Sequence, residues 1–427
     1  MPWQFLCYEK LTPHQDVDMS QWTRLTLCLG GALLVGISCR DDNVGPTDPG
    51  ASETGPALAT TATAPLAFAQ VSAGNSHTCG VTTDNRAYCW GWNVFGQVGN
   101  GTTSFERRTP ALVLGGLRFR QISAGWYNTC GVTTGYRAYC WGGSLRPMAV
   151  PGGLFFRQVS TDEDHTCGVT TNDQAYCWGT NNFGELGDGT TEFRTTPVAV
   201  LGGLRFRAVS TGPYHSCGVT TTDRAYCWGG DGGGELGDGS GEGVCGSFPG
   251  PCRMRPTLVA GGYRFRQVDA GGGLGPGEDG MGGTDGGRTC GVTTDNRAFC
   301  WGDGSHGQNG NGTRSFSFSP RRVSGTLQFR SVSAGLEITC GVTTANRAYC
   351  WGENLWGAIG DGTFTDRLTP TAVAGGLFFR DVSAGGYHTC GTTPGNVAYC
   401  WGSNGTGSLG DGTTTKRSRP RAVVGPM

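Results

Sequence analysis

The chain has 427 residues, a formal net charge of −1, 78 glycines and 19 cysteines. Glycine at that level without a Gly-X-Y period excludes collagen, and the near-neutral charge without a long basic run gives no footing for nucleic-acid binding. Length alone would allow two or three average domains, but an internal repeat overrides that estimate.

Residues 1–18 read as an extension upstream of the true start at Met19. Residues 19–39, MSQWTRLTLCLGGALLVGISC, read as a signal peptide. Arg24 closes a short cationic segment, and Leu25–Ser38 is an uncharged, largely apolar run, shorter than the ~20 residues of a membrane span. Ile37-Ser38-Cys39 has the form of a lipobox end, with Gly36 where leucine is usual, which makes Cys39 the candidate lipidation site. Arg40 carries no Asp retention signal. The expected location is therefore the outer membrane or cell surface, or the medium if the chain is released, with the membrane reached through the lipid anchor only. Residues 40–66, rich in Thr, Ala, Pro, Gly and Asp, read as a flexible tether.

From residue 67 to 427 the chain repeats. HTCGVTTDNRAYCWG at His77–Gly91 returns from Asn128, His165, His215, Arg288, Ile338 and His388, giving repeats at 67–116, 117–153, 154–203, 204–262, 263–326, 327–376 and 377–427. Each copy is a β-hairpin by composition: Thr, Val, Tyr and Trp flank a Thr/Asp/Asn/Gly turn. Folding about Asp84 sets Cys79 opposite Cys89, Val81 opposite Ala87, Gly80 opposite Tyr88 and Thr78 opposite Trp90. Aromatic rings facing glycine or threonine can then lie over bare backbone.

The facing cysteines predict seven intrahairpin disulfides. They join Cys79 to Cys89, Cys130 to Cys140, Cys167 to Cys177, Cys217 to Cys227, Cys290 to Cys300, Cys340 to Cys350 and Cys390 to Cys400. Cys245 and Cys252 bracket a short Gly/Pro segment and make an eighth pair. The ten-residue spacing lacks the C-x₂₋₄-C knuckle of zinc sites. Pairing that leaves only Cys7, Cys28 and Cys39 over fits an oxidising compartment.

A strand such as Phe156-Arg-Gln-Val-Ser160 precedes each hairpin. A long loop and a proline-led strand such as Pro197–Leu201 follow, and Gly-Gly joins that strand to the next FRQV-type strand. Each blade is expected to take the Pro-led strand, then FRQV, HTCGV and RAYCW. The last Pro-led strand, Pro420–Val424, would then complete the first blade and close the ring, so that truncation after Ser418 would sharply destabilise it.

Ser72-Ala-Gly-x-x-His77, Ala87-Tyr-Cys-Trp-Gly91 and Asn93-x-x-Gly96-Gln97-x-Gly99 together resemble the regulator of chromosome condensation repeat across 67–427. The resemblance implies an all-β, seven-bladed propeller of four antiparallel strands per blade. The family's nuclear founder is an exchange factor for a small GTPase that binds chromatin, while its exported bacterial members are protein-binding modules.

On one face of such a disc lie the tight turns; on the other lie the long loops and the S-A-G-x-x-H links. The link residues vary between copies and give the candidate binding face: Trp126, Tyr127, Asp162, Glu163, Asp164, Tyr214, Glu337 and Tyr387. Insertions at Asp231–Arg255 and at the acidic Gly271–Gly287 rise on the same face. His77, His165, His215 and His388 occupy one blade position that holds Asn128, Arg288 and Ile338 in other copies, so they read as hub hydrogen-bonders and not as metal ligands. Asp188 and Asp411, in Leu-Gly-Asp-Gly-Thr, read as turn residues and not as calcium ligands.

The expected function is a non-enzymatic module, monomeric and without cofactor or metal, that presents variable loops to a protein partner. Two alternatives stand beside it: an envelope carbohydrate hydrolase, which needs Asp162, Glu163 and Asp164 to converge in the central channel, and a GTPase exchange regulator, which needs reduced cysteines.

Overall fold

The computed structural model describes residues 66–243, 245, 250–272 and 286–426. The signal peptide with Cys39, the tether to residue 65, and 273–285 of the acidic insertion lie outside the described residues. The rest is an all-β propeller of seven four-stranded antiparallel sheets, each built from four consecutive strands. In the first blade these are β1 (Phe68–Ala73), β2 (His77–Thr82), β3 (Ala87–Asn93) and β4 (Ser104–Leu112), running from the channel to the rim.

The β2–β3 register is the expected one, with Cys79 opposite Cys89 and Thr78 opposite Trp90. Asn85 holds the hairpin turn in the left-handed region at φ 67°, a conformation that asparagine tolerates at little cost. All eight expected disulfides are formed. Within the hairpins Cys79 is bonded to Cys89, Cys130 to Cys140, Cys167 to Cys177 and Cys217 to Cys227. Cys290 is bonded to Cys300, Cys340 to Cys350 and Cys390 to Cys400, and the seven hairpin bridges join Cα atoms 4.0–4.1 Å apart. The eighth, from Cys245 to Cys252, staples the insertion of the fourth repeat.

One packing expectation needs refining. Gly80 does pair with Tyr88, but the ring that lies on its bare backbone is that of Phe68 on β1, whose Cδ1 would stand 2.6 Å from an added Cβ. Phe119 over Gly131 and Phe156 over Gly168 repeat the contact. The glycine is what lets the inner strand lie close to its hairpin.

Closure of the ring differs from expectation. The C-terminal strand Arg417–Ala422 pairs with Ala398–Gly402 as the outer strand of the last blade, not as part of the first. The first blade has no vacancy, because β4 follows within its own sheet. First and last blades meet instead through side-by-side packing and a loop. The Phe68 N–H donates to the Asn396 carbonyl at 2.7 Å, the Ala73 N–H to Ser383 Oγ at 3.0 Å, and Trp90 Nε1 to the Ser408 carbonyl at 2.8 Å. Val423, just beyond the last strand, packs with Phe68 and Trp90 in one core.

The same joint recurs between neighbours. The long loop of each blade leans on the next blade, where one loop carbonyl accepts both the Trp indole N–H and a Thr or Ser hydroxyl. Gln97 O takes Trp141 and Thr129; Glu185 O takes Trp228 and Ser216; Glu235 O takes Trp301 and Thr289. The second repeat lacks this loop, and its outer strand shrinks to Met148–Ala149. Trp178 of the third blade is consequently only half-buried, whereas Trp228 is fully enclosed, and Cys140 is the one hairpin cysteine left partly open. Trp228→Phe should cost roughly 2–3 kcal/mol, from a buried hydrogen bond plus a cavity. Trp178→Phe should cost under about 1 kcal/mol. Urea midpoints of the two variants compare them; equal losses would mean that the loop contact does not carry the joint.

Candidate functional site

The inner strands bring seven links to the channel mouth on the loop face. Their residues form a belt in which each inner-strand Ser or Asp bonds to the following blade. Ser72 Oγ accepts from the Ala124 N–H at 3.0 Å, Ser123 Oγ from Thr161, Ser160 Oγ from Thr211 and Ser210 Oγ from Ala270. Asp269 Oδ2 accepts from Ala334 at 2.8 Å, Ser333 Oγ from Ala384, and Ser383 Oγ from Ala73. Seven such bonds complete the circle.

Behind the belt, the histidines act between blades. His77 Nε2 lies 2.8 Å from Thr129 Oγ1, His165 Nε2 2.8 Å from Ser216 Oγ, His215 Nε2 2.9 Å from Thr289 Oγ1 and His388 Nε2 2.7 Å from Thr78 Oγ1. Each hydroxyl already donates its single proton to a loop carbonyl, so each histidine must donate from Nε2–H. Burial pushes His77, His165 and His215 down to about 3 and His388 to about 4. Arg288 takes over this role in the fifth blade, donating to Thr339 Oγ1 and to the carbonyls of Gly335, Leu336 and Ile338. These are hub contacts.

The three channel-carboxylate candidates do not converge. Asp162 lines the cavity of about 140 Å³ at the channel mouth together with Asp269 and Trp126, but Glu163 and Asp164 are not among its lining residues. Asp269 is tied up by Ser210 and Ala334. Burial, then Glu163 and Asp269, hold Asp162 well above the usual carboxylate range. Burial, then Asp164, raises Glu163 to about 7. Asp188 is a turn residue: its Oδ1 accepts from the Thr190 amide and hydroxyl, and its Oδ2 meets Arg194. Asp411 repeats this with Thr413 and Arg417.

What the loop face does assemble is a set of pairs, each joining a loop residue of one blade to a link residue of the next. Phe95 lies against Tyr127 with centroids 5.4 Å apart, and Trp92 (5.9 Å) and Trp126 (6.0 Å) join Tyr127 in the same cluster. Phe183 pairs with Tyr214 at 5.2 Å and Trp356 with Tyr387 at 6.3 Å. At the fifth-to-sixth joint the pair is polar: His306 Nδ1 stands 2.9 Å from Glu337 Oε2, and this contact raises the histidine. Tyr127, Tyr387, Phe95 and Trp356 are exposed, Tyr214 and Glu337 half-buried. Acidic groups flank the aromatics. Tyr127 is raised by burial and then by Glu163 and Asp164, and Tyr387 by burial and then by Glu337 and Glu353. Reading only the links missed their partners Trp92, at the end of β3, and Phe95, Phe183, His306 and Trp356, on the loops. The signal was available: each of the last four lies 31 or 32 residues before its partner in the next copy.

Two descriptions of the regulator of chromosome condensation (RCC1) repeat match this chain, one at 68–97, 156–185, 206–235 and 379–408, the other at 84–132, 172–219, 295–342 and 346–391. The chain belongs to that repeat family. Among curated relatives, the ultraviolet-B receptor UVR8 of Arabidopsis thaliana is 38% identical over 81 residues, which is 18% of this chain and 17% of that protein. Probable E3 ubiquitin-protein ligase HERC4 of Homo sapiens is 30% identical over 79 residues, 18% of this chain and 8% of that one. The chain thus spans under a fifth of either relative. Among solved structures, Prp20p of Saccharomyces cerevisiae superposes with a TM-score of 0.67 at 18% identity, covering 80% of this chain and 87% of that one. Human WBSCR16 gives 0.65 at 18%, covering 76% and 87%. Likeness at this identity carries the fold alone.

Proposed function

We propose that this RCC1-repeat propeller is a non-enzymatic, monomeric binding module, exported to the cell envelope, held there by lipid at Cys39, and presenting its loop face to a protein partner. The observation that carries the reading is the set of loop–link pairs: exposed Phe95, Tyr127, Trp356 and Tyr387 stand beside carboxylates on a disc stapled within every blade. Exposed aromatics on a rigid scaffold bind with little ordering cost. The flanking Glu163, Asp164, Glu337 and Glu353 favour a partner with a basic surface. Yeast Prp20p is described with binding to Gsp1p and histones, and in complex with Kap60; these protein partners of a similar fold support a binding role. The eight disulfides support an oxidising compartment.

A photo-crosslinker placed at Tyr127 or Tyr387 in the natural host should capture one protein, and the same probe at Arg421 on the outer rim should not. Tyr127→Ala with Trp356→Ala should weaken that partner by about thirtyfold or more, as loss of a hot spot worth ~2 kcal/mol does. Equal capture from the rim, or unchanged affinity in the double variant, would remove the loop face from the reading.

A further inference from the structure

We propose that the opposite, turn face of the disc docks on an anionic phospholipid bilayer, its arginines resting among headgroup phosphates. The inference rests on the envelope location proposed above, but its evidence is separate. Arginine follows the buried inner-strand Phe in six of seven blades, at Arg120, Arg157, Arg207, Arg266, Arg330 and Arg380. Each reaches the left-handed turn residue of its own blade. In the third and fourth blades that residue is Asp173 or Asp223, and an ion pair forms.

In the fifth to seventh blades it is Asn296, Asn346 or Asn396, which accepts a hydrogen bond but brings no charge of its own; the carboxyl of Asp381 faces both Arg330 and Arg380 and offsets them in part. Arg266 is lowered by burial and then by its neighbour Arg330, as expected of like charges set side by side. The turn of the second blade, Thr134-Gly135-Tyr136, carries no carboxylate, and its arginines lie over aromatic rings instead. Arg120 stands 4.7 Å from the Tyr136 centroid and Arg137 4.2 Å from that of Phe155. In the sixth blade Arg347 lies over Phe378 at 4.9 Å. Phe155 and Phe378 are 49% and 55% exposed.

Exposed aromatics roofed by guanidinium groups match the headgroup layer of a bilayer, where an apolar body and a charged tip are both accommodated. The formal net charge of −1 conceals this face, because acids of the loop face such as Glu192, Asp188, Asp411 and Glu337 enter the same sum. The chain also enters the disc here: the Ala67 carbonyl accepts from the N–H of Thr83, in the first hairpin turn. Of polyanions, a membrane is favoured over nucleic acid because eight disulfides fit an oxidising compartment.

The test uses residues 40–427, the processed chain without its apolar signal run and lipidation cysteine, and vesicles of phosphatidylglycerol mixed with phosphatidylcholine against pure phosphatidylcholine. Binding should require phosphatidylglycerol and weaken with salt. Arg264 donates to the Thr222 carbonyl of the fourth hairpin turn and so shares this face; the triple variant Arg137→Gln with Arg264→Gln and Arg347→Gln should lose roughly a hundredfold in affinity, at about 1 kcal/mol for each arginine near an anionic surface. The double variant Arg322→Gln with Arg421→Gln, on outer strands, should stay within about threefold. If the triple variant does not fold, lipid and salt dependence of the parent decide. Equal binding to both vesicle types overturns the proposal, and so does tighter binding to a DNA duplex through the same arginines. The envelope reading fails separately, if the natural protein keeps residues 19–38.

Discussion

Complete reduction is expected to abolish the cooperative thermal transition of this propeller. Each hairpin disulfide closes a loop with a sequence separation of 10, and loop-closure entropy assigns close to ~3 kcal/mol to a ring of that size. Seven of them amount to about 20 kcal/mol, more than the roughly 5–15 kcal/mol by which a domain is ordinarily stable. Residual hairpin structure in the reduced chain lowers the figure, yet halving it still consumes an ordinary margin.

The order of loss is predictable as well. Every hairpin cysteine is buried except Cys140, beside the joint that lacks its loop, so the bridge from Cys130 to Cys140 should be reduced first. The bridges that end at Cys177, Cys227, Cys300, Cys350 and Cys400 are closed to solvent and should follow later. Mass-resolved alkylation under graded reductant follows the order, and near-ultraviolet circular dichroism follows the fold. A fully reduced chain that still melted within a few degrees of the oxidised one would show that the bridges add little, and the compartment argument drawn from them would weaken with it.

The hairpins were legible in the sequence because their cysteines, glycines and β-formers lie within fifteen consecutive residues. The order of strands within a blade was not. A repeat written Pro-led, FRQV, HTCGV, RAYCW can be cut at any joint without changing its period, so periodicity alone does not say which strand faces the channel. The deciding contact is the pairing of each Pro-led strand with the RAYCW strand of its own repeat, Tyr88 opposite Leu112 in the first blade and Tyr399 opposite Ala422 in the last. It makes FRQV the inner strand, the Pro-led strand the outer one, and the seventh blade complete in itself.

The candidate site divides in the same way. The links showed themselves as variable positions beside a fixed S-A-G, which singled out Tyr127, Tyr214, Glu337 and Tyr387. Their loop partners belong to the preceding blade, and no neighbouring residue points to them. The polarity of the disc was hidden because acidic and basic groups alternate along the chain as it passes from face to face, and they cancel in the total.

Glu235→Gln is expected to stabilise the protein at alkaline pH and to leave it unchanged in acid. Gln97 and Gln308 occupy the same loop position, where each side-chain oxygen accepts a backbone N–H two residues earlier, from Phe95 at 3.0 Å and His306 at 2.8 Å. Glu235 Oε2 accepts the matching bond from Gly233 at 2.7 Å, so glutamine fits with its oxygen retained. Burial, reinforced by Asp231 and Asp303 and partly offset by backbone hydrogen bonds, pushes the Glu235 carboxyl up to about 8.

The folded chain thus holds this proton across a range in which the unfolded chain, near 4.5, has released it. Stability is lost as pH rises from about 4.5 to about 8 and is fully present below about 4.5. Relative to wild type the variant should gain on the order of 3 kcal/mol at about pH 8.5 and nothing at about pH 4. At ~2–4 °C per kcal/mol that is a rise of roughly 5 °C or more at about pH 8.5. The difference between variant and wild type is the quantity to read, because the four buried histidines impose the opposite slope. Their depressed values make the folded state lose stability as pH falls below about 6.5, in both proteins alike. A constant offset between the two melting curves at every pH would show that Glu235 titrates at the same pH in the folded and unfolded chain, so that its proton is not linked to folding.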